Sequence, residues 1–131
     1  MSTDAGKLIL RLTLGFLMLF HGWAKITGGV DFIAGLLEDN SLPGFLAYLV
    51  YLGEVLAPLF LIAGAYTRIA ALTIAGTMVV AVLLVHTGDL FVLSGTGGWR
   101  LELQAFYLMS AVVVMIIGPG KLSFMPESRW N

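Results

Sequence analysis

Four apolar stretches occupy almost the whole 131-residue chain, at residues 8–26, 45–66, 69–85 and 101–118. About 20 apolar residues in a helix match the ~30 Å hydrocarbon core of a bilayer. In lipid the backbone polar groups must be satisfied within the segment, which such a run achieves as a helix. The pattern predicts an all-α fold: a four-helix transmembrane bundle with short loops, forming a single membrane domain over residues 1–131. Composition points the same way. Hydrophobic residues make up 59% of the chain and charged ones 11%, against roughly 45–50% and ~25% in soluble domains. Four spans leave no room for a soluble catalytic domain, so any chemistry belongs inside the bundle or at its rims.

The formal charge of −1 carries no nucleic-acid signal. There is no cysteine, which excludes thiol nucleophiles, disulfide exchange by this chain and Cys-ligated clusters. The apolar run at residues 12–20 has the length of a signal-peptide core. His21, Lys25 and the Gly28–Gly29 pair follow it without a small-x-small cleavage site, so the first helix is expected to be retained.

The first loop, residues 27–44, holds Asp31, Glu38 and Asp39 around a short apolar run, and is expected to form a partly helical or re-entrant cap at the interface rather than a fifth crossing. The loop at residues 87–99 is glycine-rich, and Gly118-Pro119-Gly120 stops the last helix. Lys7, Arg68, Lys121 and Arg129 would share one side, with Arg11 snorkelling to it; Lys25 and Arg100 would lie on the other. The Lys/Arg bias therefore predicts both termini in the cytoplasm of a multi-pass bacterial inner-membrane protein.

Ionisable residues at membrane depth are costly and need partners, an interface or a function. At about 1.5 Å per residue, His21 lies roughly 20 Å above the inner face, Glu54 ~16 Å and His86 ~25 Å. Arg100 and Glu102 open the fourth span. Lys25 stands four residues after His21 on the same helical face. The candidate ligand or proton-exchange set is thus His21, Lys25, Glu54, His86, Arg100 and Glu102. Pro58, four residues after Glu54, removes the usual helical N–H partner of the Glu54 carbonyl and predicts a kink. Glu54 has two readings: an ion pair or hydrogen bond with His21 or Lys25 that orients the first two helices, or a ligand contact. Similar depths and the cost of facing lipid place His21 and Glu54 opposite one another.

His21 and His86 are the candidate cofactor contacts, for a quinone or a haem. Two histidines without a surrounding slot argue against haem. His21, Glu54 and His86 have no metal-ligand spacing, so no metal site is expected. Gly15, Gly22, Gly53, Gly64 and Gly76 read as close-packing positions between helices.

Taken in order, Arg11-Leu-Thr-Leu-Gly15, His21-Gly22-Trp23-Ala24-Lys25, Glu54, Thr67-Arg68, His86 and Gly118-Pro119-Gly120-Lys121-Leu122-Ser123 resemble the DoxX family of small bacterial membrane proteins. Arg100 stands where relatives often carry an acidic residue, with Glu102 two residues on. The resemblance implies an inner-membrane four-helix bundle associated with redox systems, including quinone-dependent ones. The expected function is a quinone-interacting or redox-associated subunit with a polar intramembrane pocket. The sequence holds no electron carrier, so a protein partner or bound cofactor would be needed, and the chain is not expected to be a complete enzyme. The alternatives are a small-molecule or proton transporter, and a non-catalytic scaffold for a partner complex. Beyond the lipid bilayer, a partner protein or a second copy of the chain is expected as a contact.

Overall fold

The computed structural model describes residues 2–85 and 87–124, and every element found there is helical apart from one isolated antiparallel bridge, Leu93 to Trp99. Helix α1 (Ser2–Gly28) is followed by α2 (Asp31–Asp39). The next long segment is composite. It begins as a 3₁₀ helix (Gly44–Leu49), passes through a π-helical turn (Leu52–Leu56) and continues as α3 (Ala57–Ala63). Helix α4 (Thr67–Val85) and helix α5 (Glu102–Ile117) follow, with a 3₁₀ turn (Thr87–Asp89) between them.

Three segments are long and apolar enough to cross a bilayer: Thr3–Gly28, Gly44–Ala63 and Thr67–Val85. Helix α5 is apolar but has 16 residues, a rise of about 24 Å. The expected apolar cap in the first loop is α2, whose Leu37 packs with Val30 and Ala47.

The core lies where α1, α3, α4 and α5 converge, on Leu14, Met18, Leu61, Ile74, Ala111 and Val114. Among apolar tails burial gives little drive for association, so close approach of backbones must supply it. Four glycines do this. A Cβ on Gly15 would come 3.1 Å from the Pro58 carbonyl oxygen, and one on Gly22 would come 2.7 Å from the Glu54 carbonyl carbon. Gly53 makes room for Thr77 of α4, and Gly64 for Ser123. The fifth expected packing glycine differs: Gly76 has open space beside it.

The two ends of the bundle carry different chemistry. At one end the C-terminal segment folds back over α1, where the Lys121 N–H donates to Asp4 Oδ1 at 3.1 Å and the Phe124 N–H to the Ala63 carbonyl at 2.9 Å. Arg11 corrects the sequence expectation here. It does not snorkel outward but is 2% exposed, donating to the carbonyls of Pro119 at 2.6 Å and Leu122 at 2.8 Å. Arg68 donates at 2.7 Å to the Met115 carbonyl. The Arg68 guanidinium thus serves carbonyls that the end of α5 leaves without helical donors, where a cation also favours the helix dipole, and Arg11 serves carbonyls of the segment that follows. Lys7, Arg11, Arg68 and Lys121 all gather at this end; Arg129 lies outside the described residues. Lys25, α2 and the loop before α5 form the other end.

Candidate functional site

The break in the second segment positions Glu54. Pro58 has no N–H for the Glu54 carbonyl, and the helix responds by widening: the Ala57 N–H bonds back to Leu52, five residues away. The expected kink is therefore a π-helical turn followed by a fresh α-helix with Pro58 in its first turn, where a missing N–H costs nothing. Glu54 sits within that turn, and its carbonyl abuts α1 at Gly22. The absence of a side chain at Gly22 lets the two backbones meet here.

The Glu54 carboxylate takes its partner from α1. Lys25 Nζ donates to Glu54 Oε1 at 2.8 Å, forming an ion pair whose carboxylate side chain is 5% exposed and whose ammonium side chain is 25% exposed. Lys25 reaches inward from the last turn of α1, and the Tyr51 hydroxyl donates to its carbonyl at 3.0 Å. Tyr51 therefore ties the end of α1 to the segment that carries Glu54.

His21 turns inward on the same face but meets α5 rather than Glu54. Its ring packs edge-on against Tyr107 of α5, with centroids 5.6 Å apart. Tyr107 is buried and lies within electrostatic range of Glu54. The direct His21–Glu54 contact expected from depth is thus replaced by two separate contacts, Lys25 to Glu54 and His21 to Tyr107. Sequence reasoning missed Tyr51 and Tyr107. For Tyr107 the only available signal was one polar-tipped aromatic inside an apolar helix.

The remaining candidates stand apart. Arg100 pairs with Asp89 at 3.3 Å in the loop before α5. Glu102 is exposed and lies against Gly98. His86 lies outside the described residues. Among the described residues no group of three His, Asp or Glu side chains is placed to hold a metal ion.

Two shallow apolar grooves mark the surface. One, of about 230 Å³, runs between the second segment and α4 beside Phe60 and Tyr66. The other, of about 200 Å³, runs between α4 and α5 beside Leu83, Leu90, Trp99 and Leu108. Neither is lined by Lys25 or Glu54. The polar site is a contact between helices, with Lys25 as its more exposed member.

Residues 6–87, which include most of α1 with Lys25, the π turn and Glu54, match the DoxX family. The chain belongs to the DoxX family. This DoxX protein is also 36% identical over 84 residues to the inner membrane protein YqjF of Escherichia coli (strain K12). The match covers 64% of this chain and 64% of the length of that relative. No solved structure matches the chain significantly. Family membership and the apolar helices make this DoxX protein a multi-pass protein of the inner membrane.

Proposed function

We propose that this DoxX-family protein is a redox-associated subunit of the inner membrane that holds a quinone headgroup at Lys25 and Glu54 and takes electrons from a partner. The observation that carries this reading is the Lys25–Glu54 pair itself: a carboxylate and an ammonium meeting at a π-helical turn within an otherwise apolar bundle. Such turns often occur at functional sites. The donor set suits a quinone headgroup, since Lys25 can donate to one carbonyl oxygen while Glu54, when protonated, donates to the other or, when ionised, accepts from the hydroxyl of the quinol. A bound quinone would supply a two-electron, two-proton couple, which this chain's side chains cannot. His21 and Tyr107 would form the neighbouring polar wall.

Glu54→Gln tests this directly, because the amide keeps the shape of the side chain but cannot ionise. Quinone retained on gently purified protein, measured by mass spectrometry, is expected to fall at least tenfold while membrane yield is maintained. Equal retention by both forms, or none by the wild type, would remove the quinone from the site.

A second reading is favoured by the close Gly22–Glu54 approach: the pair locks α1 to the second segment, and the protein acts as a scaffold for other subunits. Partner pull-down that survives Glu54→Gln, combined with loss of thermal stability, would favour it.

The topology proposed with this function has α5 as a fourth crossing and both termini in the cytoplasm. Its support is the gathering of Lys7, Arg11, Arg68 and Lys121 at one end. Single cysteines replacing Asn40 and Thr96 should be labelled by an impermeant maleimide in intact spheroplasts, whereas one replacing Ser128 should be spared. The opposite pattern would invert the topology.

A further inference from the structure

The loop before α5 is apolar where a water-exposed loop would be polar. Residues 90–99 contain no charged side chain, and they begin with four consecutive apolar residues, Leu90, Phe91, Val92 and Leu93. Phe91 is 98% exposed, and Leu93 also faces outward. These are the features of an uncovered patch, which needs an occupant.

We propose that residues 90–93 insert into the lipid leaflet at the Lys25 end of the bundle, anchoring this loop as a membrane wedge. Two independent observations favour lipid over a protein partner. The first is continuity. Leu90 and Trp99 line the same apolar groove as Leu83, Leu101 and Leu108 of the helical surface, so the patch extends the face that α4 and α5 turn to the bilayer.

The second is the hydrogen-bond accounting of the loop backbone. Non-helical chain enters lipid only if its polar groups are satisfied internally. Here the carbonyls of Asp89, Val92, Ser94, Gly98 and Trp99 accept from the N–H groups of Val92, Arg100, Gly97, Ser94 and Glu102. The Leu90 carbonyl accepts from the Trp99 indole at 2.9 Å. These bonds tie the loop to itself as a short hairpin whose backbone can stay at headgroup level while the side chains of Phe91 and Leu93 reach into the leaflet.

Its polar parts are segregated. The Asp89–Arg100 pair stands at the base, and Ser94 and Thr96 bond to each other at 3.0 Å at the turn. Both would stay at headgroup level while Phe91 and Leu93 enter the leaflet, as aromatic and aliphatic side chains do in interfacial segments.

The cysteine-free chain makes the test direct. Spin labels would be attached to single cysteines replacing Phe91, Leu93, Thr96 and, as a reference on the exposed face of α5, Phe106, in protein reconstituted into liposomes. Labels at 91 and 93 are expected to collide more with oxygen than with a water-soluble nickel chelate, as at 106, and the order should reverse at 96. Chelate accessibility at 91 and 93 equal to that at 96 would overturn the proposal. Protection of both labels from both reagents would assign the patch to a protein contact and overturn it equally. Phe91 is almost wholly exposed, so its replacement leaves the fold intact, and Leu93 provides an independent reading.

Discussion

Gly22→Ala is expected to disrupt the pairing of α1 with the second segment and to lower stability by about 3 kcal/mol or more, at the upper end for overpacking. The new Cβ would overlap the Glu54 carbonyl oxygen and stand 2.7 Å from its carbon. Neither atom belongs to a flexible side chain, so relief requires the helices to separate. Separation would also lengthen the Lys25–Glu54 contact, which begins one turn away on the same helix. Gly76→Ala provides the control, because a Cβ there meets nothing within 4 Å. In the middle of α4 it should be neutral or stabilising by roughly 0.5–1 kcal/mol, through helix propensity alone. Thermal unfolding of both variants in detergent decides the matter. Equal midpoints would mean that the α1 contact at Gly22 is not tight, and the account of the π turn would fail with it.

Hydropathy made the apolar segments legible, because lipid imposes one requirement on every residue of a span. Glu54 and Pro58 were legible for a related reason: a buried charge and a missing N–H each demand a local answer. What the sequence did not specify was which face of each helix meets which neighbour. His21 and Lys25 lie one turn apart on one face, so similar depth, which set His21 opposite Glu54, did not exclude Lys25. The long lysine side chain settled the choice, reaching inward from the end of α1 while His21 met Tyr107.

Arg11 shows the same gap from the other side. An arginine near a helix start can turn to headgroups or to protein, and the sequence favoured headgroups. The return of residues 118–124 over Gly64 brought carbonyls to it instead. The Gly118-Pro119-Gly120 stop and Arg11 were both recognised as motifs, but nothing local in either announces the other 108 residues away. Gly76 failed as a packing position because a small residue permits close approach without requiring it.

The second large effect concerns the ion pair, and it should be asymmetric. Lys25→Met removes the cation from a carboxylate that is 5% exposed, leaving a buried charge without its ammonium. Loss of one partner from a buried pair costs about 3–5 kcal/mol, and Lys25→Met should approach the lower figure because its own side chain was partly hydrated. Glu54→Gln should cost less, roughly 1–2 kcal/mol. The amide can still accept a hydrogen bond from Lys25, and the ammonium, a quarter exposed, can turn to solvent. The double variant should then be little worse than Glu54→Gln alone, because the stranded carboxylate has gone. A double-mutant cycle read from unfolding midpoints should give a coupling of at least about 1 kcal/mol. If the costs simply add, the two groups do not act as a pair. If Glu54→Gln proves the more damaging single change, Glu54 is held by something other than Lys25, and both the scaffold and the quinone readings lose their common basis.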